Sequence, residues 1–286
     1  MGIWNLKKVA LAIEELHISD KRESENIAGW IWEETMGFSC NTELNLSDHD
    51  ERTIVNLIQR VAFGEPVQYL AGHAWFYGLK LKVTPDVLIP RPETEELVSW
   101  IIEDILKDHK TSIRILDIGT GSGCISVALK KELKGKATIF AIDISQAALE
   151  VAIHNASTID QDITFIRKDF LNEDLCDLGT FDLIVSNPPY ISKDFLANDI
   201  ISQIRFEPSI ALYAEGDDPD IFYRKIADTG KGLLNENGIC YLELNEYRSE
   251  VIASYFDMSS WHEMEIRKDL QGSKRMLRAS GKKVNT

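Results

Sequence analysis

The sequence predicts an α/β fold: a doubly wound, mainly parallel sheet, preceded by a small helical domain and a linking β-hairpin. Three observations lead there. Apolar residues recur at helical spacing through the first 75 positions. From residue 113 onward, apolar strand-like runs alternate with helical stripes, the signature of a parallel sheet covered on both faces. Two loops of unusual composition, 117–123 and 186–190, each follow such a run, at the strand ends where these sheets bind ligands.

The helical part comes first. Ile3, Leu6, Val9, Ala10, Ile13 and Leu16 form one stripe, and Ile27, Trp30 and Ile31 belong to a second over 22–37. Ser47 with Asp50 three residues on predicts the capped start of a third helix through Ile54, Leu57, Ile58 and Val61. Gly37 and Gly64 stand where helices should end. Residues 1–75 are thus expected to form a small helical domain. Alternation over HAWFYGLKLKVTPDVLI predicts a hairpin, with 76–90 as the linker. Pro90-Arg91-Pro92-Glu93-Thr94-Glu95 then opens a helix, since proline and acids suit a first turn. The α/β domain is expected over 91–286. Its strands are Ile113–Ile118, Thr138–Ile142, Ile163–Ile166, Leu183–Val185, Ile239–Leu244 and two near 262–267 and 274–279. Helices fall at Ile125–Leu133, Ala147–Ala156, 220–230 and 246–256.

Net charge is −15. Residues 1–75 carry six basic and twelve acidic residues, so neither part is basic. Duplex binding draws much of its affinity from phosphate neutralisation, so this balance disfavours nucleic acid and favours a basic partner. No apolar run reaches the roughly 20 residues that span a membrane, and the N-terminal segment lacks a secretory pattern. The four cysteines, Cys40, Cys124, Cys176 and Cys240, lie far apart and form no ligand cluster with the histidines. Free buried thiols, a cytoplasmic location and no metal are expected.

The first loop reads Asp117-Ile118-Gly119-Thr120-Gly121-Ser122-Gly123-Cys124. Glycines at alternate positions permit a tight turn and close backbone approach to a ligand, beside the free amides of the next helix. Asp143 ends the following strand, where an acid can accept hydrogen bonds from both hydroxyls of a ribose. The dinucleotide fingerprint GxGxxG does not fit, because the third glycine comes one residue early. The layout instead resembles the class I S-adenosylmethionine-dependent methyltransferases. That resemblance implies a Rossmann-like fold and S-adenosylmethionine as cofactor. It places Gly119, Thr120, Gly121, Ser122 and Gly123 near the methionine part, Asp143 on the ribose, and Asp169 and Phe170 beside the adenine. Read as ordinary structure, Asp169 is a cap and Phe170 a core residue.

The second loop, in FDLIVSNPPYI, ends an apolar strand with an amide, two prolines and a ring. Proline cannot donate to a ladder, so the strand must stop. The Asn187 oxygen can accept one N–H of a planar NH2 group, and the Pro188 carbonyl the other. Pro188 and Pro189 fix that carbonyl's direction, and Tyr190 can pack on the group's flat face. A delocalised nitrogen held this way has its lone pair aimed at an incoming methyl carbon, and in-line placement matters more than a strong base. Asn187, Pro188 and Tyr190 are the candidate catalytic residues; Asn187 also borders the cofactor, and Asn187, Pro188, Pro189 and Tyr190 are the candidate substrate-binding residues.

The chain resembles the release factor glutamine methyltransferases over nearly its whole length. LIPRPETE at 88–95, DIGTGSG at 117–123, SNPPYI at 186–191, FEPSIAL at 206–212, FYRKI at 222–226 and KDLQGSKR at 268–275 carry the likeness. The resemblance implies methylation of the glutamine side-chain nitrogen in the Gly-Gly-Gln motif of class I peptide chain release factors, which bind both the N-terminal domain and the cleft. Pro90–Glu95 separates the chain from a sister family acting on a ribosomal protein glutamine. After Glu215-Gly216 the family's usual turn is replaced by Asp217-Asp218-Pro219-Asp220. Glu207 is assigned no catalytic role, Arg205 and Lys193 are read as solvated, and Tyr223 and Trp75 as packing residues. A monomer is expected, with no direct contact to nucleic acid or membrane. Rivals remain: an amino-methyltransferase acting on ribosomal protein glutamine or, through the same cleft, on nucleic-acid bases, and a non-catalytic adaptor for translation factors.

Overall fold

The computed structural model describes residues 3–16, 20–108, 111–159, 162–191, 204–214, 218–257 and 261–282. Lys193 and Glu215–Asp217 lie outside them. The chain forms two compact units. One contains Met1–Ala74, Val83–Pro85 and Ala197–Phe206; the other contains Trp75–Lys82, Asp86–Leu196 and Glu207–Thr286.

The first unit is built on α1 (Leu6–Glu14), α2 (Lys21–Gly29), α3 (Asp48–Ala62) and α4 (Val67–Ala71), with strands β1 (Ile3–Trp4) and β2 (Leu44–Asn45) paired antiparallel. Each of the first three helices begins on a side-chain cap. Asn5, Asp20 and Ser47 accept from the backbone amides of Lys8, Glu23 and Asp50, satisfying donors that a helix start leaves unpaired. The expected second helix runs on past Gly29 as a wider π-turn, Trp30–Thr35. Val9, Ile13, Ile31, Trp32, Ile54 and Leu57 form its core. Arg205 does more than meet solvent, since its guanidinium lies 4.4 Å from the Phe63 ring centroid and 4.9 Å from that of Phe206.

Strands β3 (His73–Phe76) and β4 (Leu79–Lys82) make the expected hairpin, turning at Tyr77 and Gly78. Both have positive φ, 49° and 68°, which a two-residue hairpin turn matched to strand twist requires. The hairpin closes at Lys82, earlier than the 76–90 linker, and 83–91 has no regular structure. Trp75 is 52% exposed and so does not pack as expected, because strand alternation turns it outward while Ala74 and Phe76 are buried.

The second unit contains a seven-stranded sheet: β5 (Ile113–Ile118), β6 (Ala137–Asp143), β7 (Thr164–Arg167), β8 (Phe181–Ser186), β9 (Leu234–Glu243), β10 (Trp261–Lys268) and β11 (Lys274–Lys282). Spatial order is β10-β11-β9-β8-β5-β6-β7. Strands β5 to β9 run parallel, and β11 and β10 close one edge antiparallel. Helices α5 (Pro92–Lys107), α6 (Cys124–Leu133), α7 (Gln146–Ser157), α8 (Ser209–Leu212), α9 (Ile221–Leu233) and α10 (Ser249–Tyr255), with short 3-10 turns at Lys134–Lys136, Cys176–Leu178 and Glu246–Arg248, complete the described elements. Two apolar clusters cover the sheet. One joins α5 and α6 to Ile115, Leu183 and Tyr241. The other joins α9 and α10 to Leu116, Ile184 and Leu242. Neighbouring residues of one strand thus face opposite layers, which is why each run reads as continuously apolar.

Asp220, at the head of α9, is buried and accepts from the Arg248 guanidinium and the Tyr255 hydroxyl. Asp218 pairs with Arg224. The described end of the acidic 217–220 stretch therefore anchors helices. Of the cysteines expected to be buried, Cys240 is so, but Cys40 and Cys176 are exposed because both lie outside the core elements.

Candidate active site

The chain leaves β5, moves to β6 and β7 on one side, then returns to β8 on the other. Such a reversal opens a crevice beyond the carboxyl ends of the central strands. Ile118 pairs with Ser186, so Gly119 and Asn187, the next residues, emerge side by side. The Ser186 hydroxyl donates to the Ile118 carbonyl at 2.7 Å and ties the two ends together. A cavity of about 610 Å³ opens there, lined by 119–122, Asp143, Asp169, Phe170, Asn187 and Pro189 among others.

The glycine loop is held by its own backbone and two acids. Gly119 and Thr120 amides donate to the Ile142 carbonyl at 2.9 and 3.0 Å. Asp143 accepts from the Gly121 amide through one oxygen and from the Ser145 amide through the other, both at 2.9 Å. Asp117 is fully buried and accepts from the Thr120 and Ser126 hydroxyls at 2.8 and 2.7 Å. Burial pushes its carboxyl up to about 6. From below, Asn155 donates to the carbonyls of Lys82 and Ser122 and accepts from the Lys82 amide, at 3.0, 2.9 and 2.7 Å. All of that buried amide's direct bonds brace the loop from the hairpin side.

The three glycines have two different reasons. Gly119 and Gly121 have positive φ with nothing within 4 Å of a Cβ position, and both line the cavity. Gly123 does not line it; a Cβ there would sit 3.0 Å from the Ala152 Cβ. Its φ of 78° is strained for any L side chain. Gly123→Ala is expected to destabilise the fold by about 2–4 kcal/mol through clash and strain, while Gly121→Ala weakens ligand binding more than stability. Thermal melts with and without ligand separate the two effects.

These residues fit S-adenosylmethionine. Ser122 has a buried hydroxyl oxygen with no partner among the described residues, at the cavity wall. Each Asp143 oxygen retains acceptor capacity for a ribose hydroxyl. Space stands open where Cβ atoms at 119 and 121 would lie. Asp169 lines the cavity but also acts as the turn cap it was read as, accepting from Leu171 and Asn172 amides at 3.0 and 3.3 Å. Phe170 is mostly core, 6% exposed and stacked on Phe222 with centroids 6.4 Å apart.

In the second loop, Asn187 and Pro189 line the cavity, Pro188 is buried, and Tyr190 packs against the cluster under α9 without lining the cavity. The Asn187 Nδ2 donates to Thr94 Oγ1 at 3.3 Å. Thr94 in turn donates to Glu243 Oε2 at 2.5 Å. Thr94 lies in the first turn of α5 and Glu243 ends β9. Arg91, just before α5, also lines the cavity and pairs at 2.6 Å with Glu207, whose carboxylate is buried. Thr94, Glu243, Arg91, Glu207 and Asn155 were not read as site residues. Thr94, Arg91 and Glu207 lay in motifs already singled out, and Glu243 ends an apolar strand, the same signal that marked Asp143.

Burial pushes the Glu243 carboxyl up to about 7, against the Thr94 hydrogen bond and the Arg275 charge. The folded protein then binds this proton more tightly than the unfolded chain does. The resulting stabilisation is full below the ordinary value of 4.5. It is lost as pH rises through about 7, a change of about 3 kcal/mol. Glu243→Gln is expected to flatten this decline in urea-unfolding measurements between pH 5 and 8; an unchanged slope would assign the titration elsewhere.

The sequence matches the family model of the methyltransferase small domain over residues 98–217. It is 38% identical over 238 residues to the release factor glutamine methyltransferase of Bacteroides thetaiotaomicron, covering 83% of this chain and 84% of that one. The enzyme of the same name from Flavobacterium psychrophilum is 42% identical over 219 residues, covering 76% of this chain and 75% of that one. Among solved structures, the hMettl16 catalytic domain, crystallised with an RNA hairpin, superposes with a TM-score of 0.54 at 19% identity, covering 84% of this chain and 83% of that one. At that identity the likeness is one of fold.

Proposed function

The chain belongs to the release factor glutamine methyltransferase family, and we propose that it methylates the side-chain nitrogen of the glutamine in the Gly-Gly-Gln motif of class I peptide chain release factors. It is an S-adenosylmethionine-dependent methyltransferase with the class I fold. The observation that carries the proposal is Asn187, emerging beside the glycine loop with its NH2 group turned inward to Thr94.

When bound, S-adenosylmethionine supplies a methyl group on a sulfonium leaving group. Residues 119–122 and Asp143 would hold its amino-acid and ribose parts, with Asp169 and Phe170 at the adenine end. The Asn187 Oδ1 then accepts one N–H of the glutamine amide, and the Pro188 carbonyl accepts the other. With both hydrogens held, the nitrogen lone pair is drawn out of conjugation and aimed along the line of transfer. Pro189 walls the cavity beside it and excludes water. Transfer would break the methyl carbon–sulfur bond, leaving the cofactor a neutral thioether, and the cationic N-methyl amide would lose one of its two protons to solvent as the product leaves.

Among the described residues no helix is long and apolar enough to cross a membrane. A release-factor substrate supports a cytoplasmic location, and we infer that the enzyme acts as a monomer. Its net charge of −15 favours a basic protein partner over a polynucleotide.

The deciding assay is methyl transfer from labelled S-adenosylmethionine to a purified class I release factor and to the same factor with its motif glutamine changed to alanine. Label on the first alone is expected. Label on neither, with an active control enzyme, would overturn the substrate assignment and direct the search to ribosomal proteins and nucleic acids.

A further inference from the structure

We propose that Thr94 and Glu243 are positioning residues that fix which end of the Asn187 amide faces the substrate. This deepens the proposed function and rests on it for the identity of the acceptor. The argument is one of donor and acceptor capacity. An amide can be turned end for end at almost no cost in shape, yet only its oxygen can accept a substrate N–H. Something must therefore choose the orientation before substrate arrives.

The chain Glu243–Thr94–Asn187 makes that choice. An ionised carboxylate is acceptor-only, so the Thr94 hydroxyl must spend its single proton on Glu243. The Thr94 oxygen is then left as an acceptor, and Asn187 can satisfy it only with Nδ2–H. Oδ1 is consequently the end presented to the cavity. Thr94 and Glu243 are both buried, at 2% exposure each, so water does not compete for these bonds. Placement fixes the geometry as well: Glu243 ends β9, the neighbour of β8, and Thr94 stands on the first turn of the helix packed over them.

The relay has a sense that depends on protonation. A protonated Glu243 can donate to Thr94, which would then donate to Oδ1 and turn Nδ2 toward the substrate. Burial pushes the Glu243 carboxyl up to about 7, so this reversal falls in the accessible range. The groups facing Glu243 are Arg91 and Glu93 before and on α5, Arg275 on β11, Tyr190 after β8, Tyr223 on α9 and Cys124 at the start of α6. Burial raises the two tyrosines and Cys124 further from neutrality, so they remain protonated. Asp117, raised to about 6, bonds to Thr120 and Ser126 and to neither Thr94 nor Asn187, so its titration does not reverse the relay.

The test compares Thr94→Val with Thr94→Ser. Valine keeps the shape and loses both bonds, so kcat on the release factor should fall about 10- to 100-fold, with the calorimetric Kd for S-adenosylmethionine within about twofold. Serine keeps the hydroxyl and should restore kcat to within about threefold of the parent. The parent's kcat should rise with pH through about 7, and the valine variant should lose that limb. A second readout needs no substrate: hydrogen exchange of the Asn187 side-chain NH2, assigned with Asn187→Ala, should be slow in the parent and the serine variant and fast in the valine variant. Slow exchange in the parent with no label on any release factor would overturn the substrate assignment and leave the relay standing. Equal exchange in all three folded variants, or a valine variant with parental kcat and pH profile, would overturn the relay.

Discussion

Asn187→Ala is expected to reduce kcat on the release factor by about two to three orders of magnitude, the scale seen when one preorganised hydrogen-bond partner of a transition state is removed. Asn187 follows the strand residue paired with Ile118 and leaves the sheet next to Gly119, and the proposed mechanism puts its oxygen beside the methyl group of the bound cofactor. The delocalised amide nitrogen of the substrate has little nucleophilicity of its own. Its reactivity depends on the two acceptors that hold its hydrogens, and alanine removes one. Cofactor affinity should change far less, because the loop, Asp143 and the adenine end are untouched. The buried Thr94–Glu243 pair remains satisfied in its own bond, so the fold should survive. Rapid-quench methyl transfer at saturating cofactor measures the effect directly. Near-parental turnover would sink the acceptor mechanism.

Asp143→Ala is the second large effect, and it acts on binding. Two charge-assisted hydrogen bonds to ribose hydroxyls are worth about 3 kcal/mol or more together, so Kd for S-adenosylmethionine should rise about 100-fold or more. Part of the loss will come through the protein. Asp143 also accepts from the Gly121 and Ser145 amides, so alanine loosens the glycine loop and the start of α7. Asp143→Asn separates the contributions, since its oxygen can keep one of those bonds while its charge is gone. Calorimetry on both variants, with melting curves in the absence of cofactor, distinguishes ligand contact from loop support. An alanine variant that binds like the parent would remove Asp143 from the cofactor site.

Much of the architecture was legible because local physics and tertiary need agree there. Ser47 with Asp50 announced a helix start and caps it. The continuous apolar runs announced strands buried on both faces, and Leu183, Ile184 and Val185 divide between the two clusters as such runs must. Loops 117–123 and 186–190 were both read as lying at ligand-binding strand ends, and the sheet pairs the strand ends that carry Gly119 and Asn187. Where the sequence misled, a longer-range contact intervened. Alternation could not tell that Trp75 faces outward and Phe76 inward until the hairpin had something to cover. Gly123 resembled its neighbours in the motif, yet its reason is the approach of α7 at Ala152.

The sequence by itself determined the fold class, the positions of the two loops that do chemistry, and the kinds of group they present, because periodicity, turn chemistry and spacing are local properties of the chain. Tertiary structure decided which distant residues hold those groups in a working orientation. Thr94 and Glu243 are 149 positions apart and Arg91 and Glu207 are 116. No local rule pairs them. Their bonds become favourable only once the sheet has removed them from water, where an unpaired hydroxyl or carboxylate is costly.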